Sequence, residues 1–414
     1  MATSPPPARP LPPAAAQTSS STRTAAVMFA GFCAFLTLYA PQPLLPMLAR
    51  GFHASAGAVS LVLTASTAAV ALAAPFAGVV ADRLGRKRVI VLSALLLAVP
   101  TAGAAASSSL AQMLAWRFWQ GVFTPGIFAV TIAYVNDEWE RGVGAAMSSY
   151  VAGTVLGGFS GRMISALVAA NSSWRWSFIA LAALDALCAA AMWAWLPPDR
   201  HFTRSRRGAS AARTMLGHLR NPPLAATYAV GFCVLFTLIA TFTYVNFYLA
   251  APPFRLGTTA LGLIFVVYLI GAVVTPVAGR AIDRIGHRFT LVAAFLGGVG
   301  GICLTLVPHL PAVLLGLALT STGVFIAQSA ASSYVGRLAE GARGAAVGLY
   351  VMFYYTGGSF GAAVPGTFWN RGGWPATVAL IAAVQVLTIA LCLLFWKPAA
   401  AGPGNEPYAA GQVG

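Results

Sequence analysis

The sequence predicts an all-α membrane protein, with twelve transmembrane helices arranged in two pseudo-symmetric six-helix bundles. Three observations predict this fold. Of the 414 residues, 58% are hydrophobic and only 8% are charged, whereas a water-soluble protein has about a quarter charged residues. Apolar runs of about 18 residues or more recur along the chain, as membrane-spanning helices require. The two halves of the chain repeat the same motifs, which predicts two similar bundles.

The predicted spans follow one another along most of the chain. Their approximate bounds are 25–48, 57–80, 88–107, 110–135, 143–168, 174–196, 223–249, 258–281, 289–307, 311–336, 344–368 and 374–396. An even number of spans puts both termini on one side of the membrane. Nineteen of the 25 Lys and Arg residues fall on that side, and only Arg50, Arg175, Arg255 and Arg371 fall on the other. Basic residues accumulate on cytoplasmic loops, so both termini are predicted to be cytoplasmic.

The remaining segments are polar and organise the chain around the two bundles. Residues 1–24 are rich in proline, serine and threonine, which predicts a disordered tail rather than a signal peptide. Residues 25–198 form the first predicted bundle, 199–222 a basic linker loop, 223–397 the second bundle and 398–414 a second tail. Because cytoplasmic arginines account for the net charge of +16, no nucleic-acid partner is predicted. We expect a monomer in the lipid bilayer.

A long internal repeat relates the two halves. The segment "PFAGVVADRLGRKR" begins at Pro75, and "PVAGRAIDRIGHRF" begins at Pro276, 201 residues later. Both contain Pro-x-Ala-Gly, then Asp-Arg, then a glycine two residues on. The pair "WRWSFIALAA" and "WPATVALIAA" repeats at nearly the same spacing. Two such repeats in parallel orientation are typical of transporters built from two similar halves.

Three motifs make the chain similar to the major facilitator superfamily. The segment "GVVADRLGRKR" (78–88) resembles its signature between spans two and three, and "RFWQG" (117–121) resembles its span-four signature. Span five keeps the glycine spacing of the family's proton antiporters at Gly144, Gly153, Gly157 and Gly161. Two positions depart from that signature, because Gly158 replaces a proline and Arg162 replaces the last glycine. Over residues 25–396 the chain resembles the bacterial drug- and sugar-efflux branch.

The resemblance implies a cytoplasmic gate that holds one side shut in one state. It implies that Asp82 faces the start of span eleven near Gly344, and pseudo-symmetry places Asp283 near Gly142. Arg86 is expected to pair with Asp137 or Glu138. The expected gate residues are Gly78, Asp82, Arg83, Gly85, Arg86, Asp137, Gly279, Asp283, Arg284 and Gly286. Among them, Gly78 and Gly279 are expected to allow close backbone approach, and Gly85 and Gly286 to form tight turns. The alternative is that these charges only set topology.

Small residues recur along one face of span five. Gly153, Gly157 and Gly161 form a stripe at four-residue spacing. Such a stripe lets two helix backbones approach closely. We expect span five to pack there against a helix of the other bundle.

Three ionisable residues lie well inside spans: Arg117, Arg162 and Asp185. Intramembrane charges usually face the bundle interior and mark substrate or ion paths. The two arginines lie on adjacent spans at a shared depth of roughly 10 Å. They predict a positively charged cavity for a carboxylate, sulfonate or phosphate, although Arg162 could instead extend to the outer interface. Asp185 is predicted to be either a structural counter-ion to an arginine or a proton-carrying site.

Further polar residues inside the spans are candidates for the same cavity. They are Tyr39, Gln42, Gln120, Tyr244, Asn246, Gln328, Tyr354 and Tyr355. Each has the alternative role of a helix–helix hydrogen bond. Span one contains no acidic residue, which disfavours a cationic drug as substrate. Its segment "YAPQPLLP" (39–46) has three prolines, which predict a bend or break near its outer end.

The sequence therefore predicts a secondary active transporter of the bacterial inner membrane. The leading hypothesis is proton-coupled efflux, by alternating access, of a small amphipathic compound that is anionic or polar. An importer of the same fold, a neutral-sugar exporter and a transport-inactive receptor remain as alternatives. We predict no enzyme, cofactor or metal site, because the five histidines fall in loops or at span ends without ligand spacing. The expected partners are the substrate, protons and lipid.

Overall fold

The computed structural model describes residues 20–139, 142–199, 217–339 and 343–397. These residues are helical almost throughout and contain no β-strand, which confirms the predicted all-α class. The tails at 1–19 and 398–414, and linker residues 200–216, lie outside the described residues. Residues 20–24 belong to the first helix rather than to the predicted tail.

The first half contains seven helices. They are α1 (Ser20–Leu36), α2 (Leu45–Gly51), α3 (Ala56–Leu84), α4 (Arg86–Ala105), α5 (Leu110–Glu138), α6 (Val143–Asn171) and α7 (Trp174–Trp195). Span one is divided between α1 and α2, and spans two to six correspond to α3 to α7.

The second half contains six further helices and a short 3₁₀ turn, Ile264–Val266. The helices are α8 (Pro222–Ala250), α9 (Thr258–Leu263), α10 (Val267–Leu304), α11 (Leu310–Leu338), α12 (Arg343–Ala363) and α13 (Pro365–Phe395). Spans eight and nine meet within α10, and spans eleven and twelve meet within α13 at the non-helical Gly372 and Gly373. Within the described ranges, nine helical segments are long and apolar enough to cross a membrane, and two shorter apolar helices accompany them.

Span one is broken where its prolines lie. Helix α1 ends at Leu36, and a 3₁₀ turn with Pro41 at its N-cap covers Gln42–Leu44 before α2 begins. Proline lacks the backbone N–H that a continuous helix needs. The predicted break is therefore confirmed, and it frees backbone carbonyl groups that need other partners inside a membrane.

Single glycines turn the chain between neighbouring spans at the repeated motif. Gly85 has a φ of 93° and joins α3 to α4, and Gly286 has a φ of 80° at the kink of α10. Residues with a Cβ rarely adopt this conformation, so the predicted turn role of both glycines is confirmed. Asp199 then accepts a hydrogen bond from the Lys87 amide at 3.1 Å, where a carboxylate at a helix N-terminus is favourable.

The glycine stripe of α6 packs against α1, within its own half of the chain. A Cβ atom added at Gly161 would lie 1.7 Å from the carbonyl oxygen of Leu36, and one at Gly157 would lie 2.1 Å from that of Phe32. The expectation of a partner in the other bundle is therefore wrong. Close approach at Gly78 and Gly279 is also not observed, because a Cβ there would meet nothing within 4 Å.

The two halves contact each other mainly at the end away from the chain termini. There Gly57 of α3 lies against Gly366 of α13, and a Cβ at Gly262 of α9 would lie 2.5 Å from the Cβ of Ala166. Nearer the middle, Thr67 Oγ1 and Ser359 Oγ are 3.0 Å apart and join α3 to α12. Below these contacts, toward the side of the termini, a cavity separates the halves.

Candidate functional site

The central cavity lies between the halves, has a volume of about 310 Å³ and is largely aromatic. Helices α1, α5 and α6 line it from one half, and α8, α10, α11 and α12 line it from the other. Its aromatic residues are Phe35, Tyr39, Phe128, Tyr150, Tyr268, Phe325, Tyr350, Tyr354 and Tyr355. Arg162 is the only charged residue in this wall.

Arg162 is only 2% exposed, and its hydrogen bonds go to uncharged groups. Its Nε donates to Gln42 Oε1 at 2.7 Å, and its Nη1 donates to the Gly158 carbonyl oxygen at 2.7 Å. Among the described residues, Nη2 has no hydrogen-bond acceptor, and no carboxylate pairs with the guanidinium. A buried charge without a partner is costly, so this position favours an anion from outside the chain.

Three aromatic rings surround the Arg162 guanidinium. Its Cζ lies 5.1 Å from the ring centroid of Tyr39, 4.6 Å from that of Phe265 and 4.8 Å from that of Tyr268. Cation–π contacts of this kind stabilise a desolvated arginine by roughly 2 kcal/mol. Tyr39 belongs to the break in span one, whereas Phe265 and Tyr268 belong to the second half. Arg162 therefore contacts both halves, and it does not extend to the outer interface.

Arg117 does not line the cavity. It is fully buried, and its guanidinium donates to the carbonyl oxygens of Thr37, Leu38 and Val62 and to the side chains of Ser66 and Gln120. Two of these carbonyls are freed by the break in span one. The prediction that both arginines face one cavity is therefore wrong for Arg117, which fixes the break instead.

Asp185 is fully buried between α1, α4 and α7. Its Oδ2 lies 3.2 Å from Thr101 Oγ1, and its Oδ1 lies 3.7 Å from Cys33 Sγ. No arginine or lysine pairs with it in the part of the chain that the structure describes. The alternative of a counter-ion to an arginine is therefore wrong, and Asp185 lies outside the wall of the cavity.

The other predicted polar residues divide into two groups. Tyr39, Gln328, Tyr354 and Tyr355 line the cavity. Gln42 and Gln120 accept hydrogen bonds from Arg162 and Arg117, Tyr244 donates to the Ala362 carbonyl oxygen, and Asn246 donates to that of Phe242. The second group follows the alternative of contacts within the protein.

The expected gate residues form contacts within each half. Arg86 makes an ion pair with Asp137, and both belong to the first half. Among the described residues, Asp82 has no hydrogen bond or ion pair. Residues 340–342, which precede α12, lie outside that set. The gate therefore stays a prediction.

Sequence analysis missed four residues around the two buried ionisable groups: Phe265 and Tyr268 beside Arg162, and Cys33 and Thr101 beside Asp185. A tyrosine inside an apolar span is a usable signal, because its hydroxyl needs a partner or a cavity. Phe265, Cys33 and Thr101 give no such signal, since these residues are common in spans of any orientation.

Comparison with known proteins gives a consistent family. The Major Facilitator Superfamily model matches residues 27–257 and 246–413. The MFS-type transporter YybF of Bacillus subtilis is 32% identical over 372 residues, which cover 89% of this chain and 92% of the relative. The inner membrane transport protein YnfM of Escherichia coli is 32% identical over 88% of each chain.

Solved structures share the fold at low sequence identity. The nucleoside transporter NupG superposes with a TM-score of 0.75 and 15% identity, over 90% of this chain and all of that one. The human organic anion transporter MFSD10 superposes with a TM-score of 0.68 and 21% identity, over 91% of this chain and all of that one.

Proposed function

Since the chain belongs to the Major Facilitator Superfamily and is a multi-pass membrane transporter, we propose that its substrate is a small organic anion bound at Arg162. One observation carries the proposal: a buried guanidinium with no acidic partner lies in the wall of the cavity between the halves. Arginine's planar fork suits carboxylate, sulfonate and phosphate oxygens. The anion would supply the acceptor that Nη2 otherwise lacks.

The rest of the cavity supports an amphipathic anion rather than a sugar. Nine aromatic side chains form most of the wall, and Gln328, whose Oε1 already accepts from Tyr350 at 2.8 Å, adds one amide. A sugar needs many hydrogen-bond partners, whereas aromatic walls favour an apolar body. The volume of about 310 Å³ suits a compound of one or two rings.

Alternating access follows from where the halves touch. They are closed at the end away from the termini, and with the termini in the cytoplasm this is an inward-facing state of an inner-membrane protein. Tyr268 and Phe265 reach Arg162 from the second half. Since an anion would compete with these rings for the guanidinium, its binding would change the contact between the halves.

Efflux driven by protons is the direction that the span-five glycines support. Gly144, Gly153, Gly157 and Gly161 keep the spacing of the family's proton antiporters. An importer of the same anion is the alternative, and it would use the same cavity with the opposite sign of proton coupling.

A matched set of ligands tests the substrate class. Purified wild type is compared with Arg162→Gln and with Arg371→Gln, a control that removes an exposed charge. The ligands share one ring system: naphthalene-1-sulfonate, 1-naphthylmethanol and 1-naphthylmethylammonium. We expect the sulfonate to raise thermal stability of wild type and Arg371→Gln, by about 2.7 kcal/mol at a hundredfold excess over Kd, and to have little effect on Arg162→Gln. Equal stabilisation by the cation or the alcohol would overturn the proposal.

A transport assay then tests direction. Wild type and Arg162→Gln are reconstituted in vesicles that contain naphthalene-1-sulfonate. A sulfonate stays ionised throughout the working pH range, so any pH dependence belongs to the protein. An inwardly directed proton gradient is expected to speed release through molecules oriented as in the cell. Release that ignores the gradient would contradict proton coupling.

A further inference from the structure

We infer that Asp185 is the proton-binding group of this transporter, and that the broken first span links it to the anion site at Arg162. The inference rests on the proposed function, because it assigns the proton coupling to one residue. It concerns a cluster outside the cavity wall, formed by Asp185, Thr101 and Cys33.

The contacts of Thr101 indicate a protonated Asp185 in this conformation. Thr101 Oγ1 lies 2.7 Å from the Leu97 carbonyl oxygen and 3.2 Å from Asp185 Oδ2. A hydroxyl has one hydrogen, and a carbonyl oxygen only accepts. The shorter contact therefore takes the hydrogen of Thr101, and the carboxyl of Asp185 donates in the longer one.

No charge faces Asp185 from the helices packed around it. The titratable neighbours are Cys33 from α1 and Cys188 from its own helix α7, whereas α4 contributes the hydroxyl of Thr101. Helix α6 contributes no charged neighbour among the described residues. An ionised carboxylate in such a site would be uncompensated, which favours the neutral form.

The internal repeat contains a neutral copy of this cluster. Cys33, Asp185 and Cys188 correspond, 200 residues later, to Cys233, Gln385 and Thr388. Gln385 is also fully buried, and Cys233 lies beside Thr388 as Cys33 lies beside Cys188. The second half thus holds a neutral amide where the first half holds an acid. This fold accepts a neutral polar group at the position, and only the first half can exchange a proton there.

The broken first span contacts both sites. Cys33 lies three residues before the end of α1 and touches Asp185. Nine residues later, Gln42 binds Arg162 Nε, and Tyr39 between them lies on the guanidinium. A shift of this segment when an anion binds Arg162 would therefore alter the surroundings of Asp185, and linkage makes the effect reciprocal.

Infrared difference spectroscopy tests the protonation of Asp185 without any substrate. Membrane-reconstituted wild type is compared with Asp185→Asn, which mimics the neutral acid, and with Gln385→Met, a matched change in the second half. A neutral-carboxyl band is expected near neutral pH in wild type and Gln385→Met, and its loss is expected in Asp185→Asn. Absence of the band from wild type would overturn the inference.

Calorimetry tests the link to the anion, which a merely structural acid would not show. Naphthalene-1-sulfonate is titrated into each protein in two buffers of different ionisation enthalpy, which gives the protons exchanged per anion bound. We expect about one proton in wild type and in Gln385→Met, and none in Asp185→Asn, with anion binding retained. Proton exchange that persists in Asp185→Asn would overturn the inference.

The remaining outcomes separate the inference from the proposed function. Wild type that binds no anion would remove the proposed substrate class, and with it the inference built on it. Wild type that binds the anion without exchanging protons would overturn Asp185 as the coupling group while leaving the anion site intact. The sign of exchange addresses direction only, because release of a proton fits export and uptake fits import.

Discussion

Two buried arginines at similar depth in neighbouring helices have opposite environments. Arg117 has five acceptors from α1, α3, α5 and the break in span one, whereas Arg162 has two and lies among aromatic rings. Hydrogen bonds stabilise a buried cation only when its donors are satisfied. Arg117 therefore acts on stability, and Arg162 is available to a ligand.

Arg117→Gln is expected to destabilise the protein strongly, whereas Arg162→Gln is expected to change stability little. Each bond from a charged donor contributes roughly 1.5–3 kcal/mol, and the change at 117 also leaves carbonyls of the broken span unpaired inside the membrane. Thermal unfolding followed by the fluorescence of the ten tryptophans measures both variants. Equal losses in the two variants would contradict this division of roles.

Gln42→Glu is expected to abolish anion binding without unfolding the protein. The new carboxylate would stand 2.7 Å from Arg162 Nε, where Gln42 Oε1 now accepts, and would neutralise the guanidinium from within. We expect naphthalene-1-sulfonate affinity to fall at least tenfold, or about 1.4 kcal/mol. The matched control is Gln120→Glu, which places the same change beside Arg117. Loss of affinity in the control as well would indicate a general effect of added charge.

At the scale of helices, the close pairs are set by backbone contact at glycines. Helix α6 meets α1 at Gly157 and Gly161, and α12 meets α8 at Gly357 and Gly361, whose added Cβ atoms would meet the Phe232 and Phe236 carbonyl oxygens. The partner positions are 200 residues apart in each case. The same helix pair is therefore built twice, and in the first half it holds the broken span against the helix that carries Arg162.

Gly161→Ala is expected to destabilise the protein, and Gly144→Ala is expected to be neutral or slightly stabilising. The added methyl group at 161 would lie 1.7 Å from the Leu36 carbonyl oxygen, whereas one at 144 would meet nothing within 4 Å. Overpacking costs typically 1–3 kcal/mol, and alanine is a better helix former than glycine by roughly 1 kcal/mol. Thermal unfolding of the two variants distinguishes them, and a Gly161→Ala protein as stable as wild type would contradict the packing argument.

For the molecule as a whole, the sequence predicts the scaffold better than the site. The all-α class and the turn glycines Gly85 and Gly286 follow from composition and motif, and the break in span one follows from its prolines. The orientation of each helix about its axis does not follow, because spans that are apolar all round lack a hydrophobic face that identifies the interior. For that reason Arg117 and Arg162 were grouped although they face different neighbours, and the partner of the α6 stripe was misplaced.

The two halves share a scaffold but differ in chemistry. Positions 200 residues apart hold Arg162 and Ala362, and Asp185 and Gln385. Both charged groups in the membrane interior that the structure leaves without an ionic partner therefore belong to the first half, while the second half supplies the aromatic rings Phe265 and Tyr268 that meet Arg162. This asymmetry gives each half a separate task within one cycle: the first binds charge, and the second covers it.

Closure at the end away from the termini predicts a sided accessibility of the cavity. Gln328 lines both the central cavity and a second cavity of about 840 Å³ between α6, α10 and α11. In a background in which exposed Cys303 is changed to serine, a membrane-impermeant maleimide should label Gln328→Cys faster from the side of the termini. Arg371→Cys, exposed near the opposite end, should show the reverse preference and so reports the sidedness of the vesicles. Because an anion at Arg162 would fill the cavity, naphthalene-1-sulfonate should slow the labelling of Gln328→Cys and not that of Arg371→Cys. Faster labelling of Gln328→Cys from the side opposite the termini would contradict the closed end, since Gly57, Gly366, Ala166 and Gly262 pack between that side and the cavity.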